Sequence, residues 1–105
     1  MRYEYAEYVP TIKALSDETR LKIVNMLSCG EMCACKILEQ FSITQPTLSY
    51  HMKILTECGL VNSRRDGAWM HYGINEEKHN ELLNFLTEIF KSEEDGICKS
   101  CGTKS

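Results

Sequence analysis

No apolar run in this chain approaches the roughly 18 residues that span a bilayer, so no membrane partner is expected. The first ten residues, MRYEYAEYVP, lack the apolar h-region of a secretory leader, and the expectation is a cytoplasmic chain. There is no internal repeat. Basic charge is not in excess: 12 lysines and arginines stand against 15 aspartates and glutamates, for a net charge of −3. Taken alone, that balance speaks weakly against a nucleic-acid partner. No Cys–His or paired-carboxylate arrangement with a plausible pocket suggests catalysis. An enzyme is therefore the least expected class, and no organic cofactor is called for.

What is present fits one small domain. A chain of 105 residues can bury a modest core, and its apolar and charged fractions, 43% and 26%, are those of an ordinary globular protein. Charge is unevenly spread. Residues 44–72 hold Lys53, Arg64 and Arg65 against Glu57 and Asp66, so the middle is mildly basic. Residues 73–105 hold four lysines against seven acidic residues. A dimer presenting both basic middles on one face could still bind phosphates.

Six cysteines in so short a chain invite a chemical reading. Without a leader, a reducing compartment is expected, where clustered thiols bind metals or sense redox state rather than form structural disulfides. They fall into three groups: Cys29, Cys33 and Cys35; Cys58 alone; and Cys98 with Cys101 in CKSC. Cys58, just before Gly59, reads as a small buried residue near a helix end. Cys33 and Cys35 raise a difficulty. They stand inside what reads as a helix, where residues two apart point roughly 200° away from each other.

Apolar periodicity sets the element order. A first helix is expected over about residues 3–15, from Tyr5, Tyr8, Val9, Ile12 and Leu15, with a kink or break at Pro10. Ser16 is the expected N-cap of a second helix, DETRLKIVNMLSCG, with a stripe of Leu21, Val24 and Leu27 widened by Ile23, ended by Gly30. A short third helix should cover about residues 32–40. After a tight turn at Ser42 to Thr44, a fourth helix opens with Pro46 in its first turn. It turns Leu48, Met52 and Leu55 inward and stops at Gly59. Two short helices joined by such a turn make a helix-turn-helix unit.

Asp66-Gly67, between two β-prone alternating runs, predicts a hairpin that would form a wing. A last helix, about residues 76–92, carries Leu82, Leu83, Phe85, Leu86, Ile89 and Phe90 and wants a partner surface. The expected fold is thus mainly α with a β-hairpin: a winged helix-turn-helix of order α1-α2-α3-α4-β-β-α5 over residues 1–92. Residues 93–105 are expected to be a polar, mobile, cysteine-containing tail.

A helix that reads DNA needs polar side chains on its exposed face near its start. Gln45, Thr47, Ser49, Tyr50 and Lys53 occupy such positions. Gln45 suits an adenine edge, Thr47 and Ser49 a phosphate or base, and Lys53 the backbone. Arg64 and Arg65 beside the wing turn could reach flanking backbone or a minor groove. His51 and His71 read as structural or phosphate-contacting, and Trp69 and Tyr72 as packing residues. Winged helices also serve as protein-contact modules, so the fold alone does not settle the function.

ALSDETRLKIVNML, EMCACKILEQFSITQPTLSYHMKILTECGLV and DGAWMHYGI together resemble the ArsR/SmtB metalloregulatory repressors, over about residues 5–90. The resemblance implies a homodimeric winged-helix repressor, paired through its first and last helices, that leaves operator DNA when a toxic metal ion binds. EMCAC matches the arsenic-responsive branch at Glu31, Cys33 and Cys35. That implies trivalent arsenic or antimony as effector, held by soft thiolates. The third cysteine of the branch's best-known pattern falls here on Leu38. A third ligand from Cys29, Cys98, Cys101 or a small external thiol stays open. The zinc-responsive branch needs spaced histidines on the last helix, and only His79 follows residue 71. A thiol-based redox sensor remains the alternative within the same class.

Overall fold

A computed structural model describes residues 4–91, so the CKSC tail lies outside the described residues. The order is α1 (Tyr5–Ala14), α2 (Glu18–Leu27), β1 (Met32–Cys33), α3 (Ala34–Glu39), α4 (Gln45–Glu57), β2 (Val61–Asp66), β3 (Trp69–Ile74) and α5 (Glu76–Phe90). This is the winged helix-turn-helix expected from the sequence, with one additional strand. Among the described residues no helix is long and apolar enough to cross a membrane.

α1 runs unbroken through Pro10, where a kink or break was expected. The helix supplies enough other backbone bonds to absorb the one that proline cannot donate. Its inward face is Tyr8, Thr11 and Ala14, whereas Tyr5, Val9 and Ile12 are exposed. The cap of α2 is Asp17, not Ser16: its carboxylate accepts the Arg20 amide at 3.1 Å, while the Ser16 hydroxyl closes α1 on the Lys13 carbonyl. Within α2, Ile23 and Leu27 are buried and Leu21 is half exposed, so the inward stripe lies to one side of the expected one.

Ile23 and Leu27 join Ala14, Ile37, Leu48, Met52, Leu55, Leu60 and Val61 in one core beneath α4. A second cluster ties the two ends of the chain: Tyr8 stacks on Phe85 at 4.2 Å, with Leu82 beside them. α4 follows its expected pattern. Thr44 caps it, Pro46 sits in its first turn, and Leu48, Met52 and Leu55 are buried. Cys58 ends it, half-buried, with its thiol on the Leu55 carbonyl. The wing closes at Gly67, whose φ of +67° is the left-handed conformation that the first position of a tight hairpin turn demands.

The main departure lies before α3. The expected helix over 32–40 begins only at Ala34, because Met32 and Cys33 form an edge strand. The sheet order is β1-β3-β2, with Met32 opposite Tyr72 and Cys33 opposite His71, all antiparallel.

Candidate thiol site and nucleic-acid interface

Cys33 is the hinge between β1 and α3. Its φ of −70° and ψ of 144° are extended, and its sulfur caps the helix by accepting the Cys35 amide at 3.3 Å. The two thiols therefore do not share one regular helix, and the 200° separation expected of them does not apply. The Cys33 sulfur instead turns back onto the amide of Cys35, and both thiols are half-buried. The Cys35 thiol donates to the Cys33 sulfur, which holds Cys33 below the ordinary thiol range; burial works against this, and the Cys35 and Lys36 amides and the Lys36 charge assist it. The same hydrogen bond pushes Cys35 up, with burial and the adjacent Cys33 charge adding to it. Cys33 is thus the more acidic thiol of the pair.

The other candidate ligands are not gathered around this pair. Cys29 is exposed beyond the end of α2, beside a cleft of about 420 Å³ that it lines with Glu31, Asn62, Arg64 and Gly73. Leu38 stands where the third sulfur was sought and packs against the core. Among the described residues no three His, Cys, Asp or Glu side chains come close enough to hold a metal. Cys98 and Cys101 fall outside the described residues. Two half-buried sulfurs at one strand-to-helix junction offer a soft, thiophilic ion at most a two-thiolate half-site.

On α4, Gln45, Thr47, Ser49, Tyr50 and Lys53 are all exposed. Thr47 receives a hydrogen bond from the capping Thr44 hydroxyl at 3.0 Å, so its own hydroxyl proton stays available. Gln45 and Ser49 face the wing across a groove of about 160 Å³, closed on the other side by Arg65, Trp69 and Tyr72. Arg65 thus stands across the groove from α4. Arg64 points the other way. Its guanidinium grips Glu31 with two hydrogen bonds, Nε to Oε2 at 2.9 Å and Nη2 to Oε1 at 2.7 Å, and holds that carboxyl below its usual range. Alternation along β2 puts these neighbouring arginines on opposite faces of the sheet.

His51 is structural. The Arg20 guanidinium, which can only donate, lies 3.0 Å from His51 Nδ1 and also bonds the Ala14 carbonyl at 2.7 Å. That network anchors α4 to the α1–α2 junction. It was missed in the sequence, where nothing signals a partner 31 positions away; the Glu31–Arg64 grip, 33 positions apart, was missed for the same reason.

A family model described as "Bacterial regulatory protein, arsR family" matches residues 17–63. The arsenical resistance operon repressor of Staphylococcus aureus is 43% identical over 96 residues, 91% of this chain and 92% of that protein. A crystal structure of an ArsR family transcriptional regulator superposes with a TM-score of 0.77 over 84% of this chain and 91% of that one; at 22% identity it speaks for the fold alone. A solution structure from Mycobacterium bovis, described as a homodimeric winged helix-turn-helix DNA-binding domain, superposes with a TM-score of 0.67 at 27% identity. It covers 81% of this chain and 79% of its own. The chain belongs to the arsR family of bacterial regulatory proteins, as a winged helix-turn-helix regulator of transcription and not an enzyme.

Proposed function

We propose that this protein is a cytoplasmic, homodimeric repressor that leaves its operator when trivalent arsenic or antimony is held by Cys33 and Cys35. The observation that carries the reading is the position of these two thiols at the junction of β1 and α3, where the Cys33 sulfur caps the helix that precedes α4. The Staphylococcus aureus relative, an arsenical resistance operon repressor by name, supports the same effector class. In the free state Gln45, Thr47, Ser49, Tyr50 and Lys53 meet the major groove and Arg65 the flanking backbone, while Arg64 is engaged by Glu31. The exposed apolar residues of α1 and α5, among them Val9, Ile12, Leu83 and Ile89, supply the self-association face. Two bound recognition helices would then read the two halves of a palindrome.

A trivalent arsenic or antimony centre supplies a soft, thiolate-accepting ligand position. Cys33, the more acidic thiol, would displace one hydroxyl of the hydrated ion, and Cys35 would displace a second, its thiol proton leaving with that hydroxyl as water. The sulfur that binds is also the sulfur that caps α3. Committing it to a ligand withdraws the cap from the Cys35 amide and loosens the first turn of the helix that packs against α4. Release requires the ion to favour the non-binding state by about 1–3 kcal/mol, the usual scale of allosteric coupling. Cys33→Ser and Cys35→Ser should each bind operator like the parent and fail to release it with arsenite, as followed by fluorescence anisotropy. Parent-like release in both variants would put the site elsewhere.

The lowered Cys33 thiol also favours a second reading, a thiol-oxidation switch. Mass spectrometry after peroxide, without any metal ion, separates the two: a reversible disulfide that abolishes DNA binding supports oxidation sensing.

A further inference from the structure

The residues around the thiol pair belong to the wing as much as to α3. β1 is an edge strand of the wing sheet, and the register places Cys33 opposite His71, which is itself opposite Arg64. Cys33, His71 and Arg64 therefore form one row across three strands, with side chains on the same face. Glu31, two residues before Cys33, reaches over the central strand to close the row by its paired grip on Arg64. Gly73 leaves the path open: a β-carbon there would already touch Glu31 Cβ at 3.8 Å and its backbone at 3.9 Å, so a larger side chain would obstruct the crossing. The line continues to the hairpin end, where Arg64 Nη1 and His71 Nε2 each lie 3.9 Å from Asp66, next to the Gly67 turn.

We propose that β1 and the Glu31–Arg64 pair couple the Cys33/Cys35 site to the wing, so that ligand binding displaces the wing as well as α3. This rests on the effector reading above. It makes Arg64 a positioning residue rather than a DNA contact, and Glu31 its counterpart on the sensing side. Both side chains are about half exposed, so their pairing contributes little to folding stability and the variants should fold. Its value is directional. Two parallel hydrogen bonds fix the residue that leads into β1 against β2, a strand that is not β1's neighbour in the sheet.

The test compares the affinity of a labelled duplex from the chain's own upstream region, without and with arsenite, in the parent, Glu31→Gln, Arg64→Gln and the Glu31→Arg/Arg64→Glu exchange. Trp69, the single tryptophan, sits on the wing and reports its movement by emission. In Glu31→Gln, affinity without arsenite should match the parent, while the arsenite-induced loss of affinity shrinks about two- to fivefold, the range of an exposed pair. The Trp69 response to arsenite should shrink with it, and the charge exchange should restore part of both. Parent-like loss of affinity and Trp69 response in Glu31→Gln would overturn the proposal. So would an Arg64→Gln variant that binds DNA poorly without arsenite while Glu31→Gln binds normally, because Arg64 would then be a DNA contact. Alkylation counting separates the two levels. Arsenite protecting no thiol in the parent overturns the effector reading and this proposal together, whereas protected Cys33 and Cys35 with unchanged coupling overturns this proposal alone.

Discussion

The Cys33 sulfur accepts the Cys35 amide, the neighbouring Cys35 thiol lowers its pKa, and its backbone ends a strand and begins a helix. Each of these roles depends on the others. The extended backbone lifts the sulfur off the helix, and the turn that follows brings the Cys35 thiol back to it. The acidity of Cys33 follows from that geometry and can be tested directly. Its folded-state pKa is lowered, so the thiolate is present at lower pH than for an ordinary cysteine. Removing the donor with Cys35→Ala should move the midpoint of its alkylation rate upward in pH. Cys35→Ser, whose hydroxyl can still donate, should move it less. Iodoacetamide kinetics followed by peptide mass spectrometry would read both.

At the scale of elements, α3 and the wing depend most on their neighbours. α3 has six residues, too few to be helical by itself. It is held by its Cys33 cap and by Ile37, which is completely buried in the core shared with Leu48, Met52 and Leu55 of α4. Ile37→Ala should therefore cost about 2–5 kcal/mol in urea unfolding, the range for deleting a buried aliphatic side chain. A loss well below that range would mean that α3 is loosely packed on α4. The proposed release of DNA needs tight packing here, because a change in the first turn of α3 must reach α4.

At the scale of the whole molecule, one chain leaves a large apolar surface uncovered. Tyr5, Val9 and Ile12 on α1 and Leu83, Ile89 and Phe90 on α5 are all exposed, while Tyr8 and Phe85 pack the same two helices together. Monomeric proteins rarely leave such patches contiguous. Leu83→Asp with Ile89→Asp should shift the protein from dimer to monomer in analytical ultracentrifugation. Operator affinity should fall by at least about 100-fold, because two linked half-sites bind far better than one. An unchanged sedimentation coefficient would move the self-association face away from α5.

Sequence alone determined the features that local chemistry controls. The helices of the core were legible because apolar residues recur at helical spacing, and α4 was read nearly residue by residue from Pro46, its Leu48, Met52 and Leu55 stripe, and Gly59. The hairpin was legible from Asp66-Gly67, although the two turn residues are Gly67 and Ala68, since Asp66 still pairs with Trp69 and only Gly67 takes a positive φ. Tertiary structure decided what depends on distant partners. A two-residue strand such as Met32–Cys33 has no periodicity to read, and it exists only because β3 offers free backbone groups. Which way each of two adjacent arginines points depends on sheet register, which placed Arg64 against Glu31 and Arg65 beside the groove to α4. The relation of Cys33 to Cys35 has the same origin: their spacing is a property of the sequence, but the Cys33 sulfur reaches the Cys35 amide because a strand ends at Cys33.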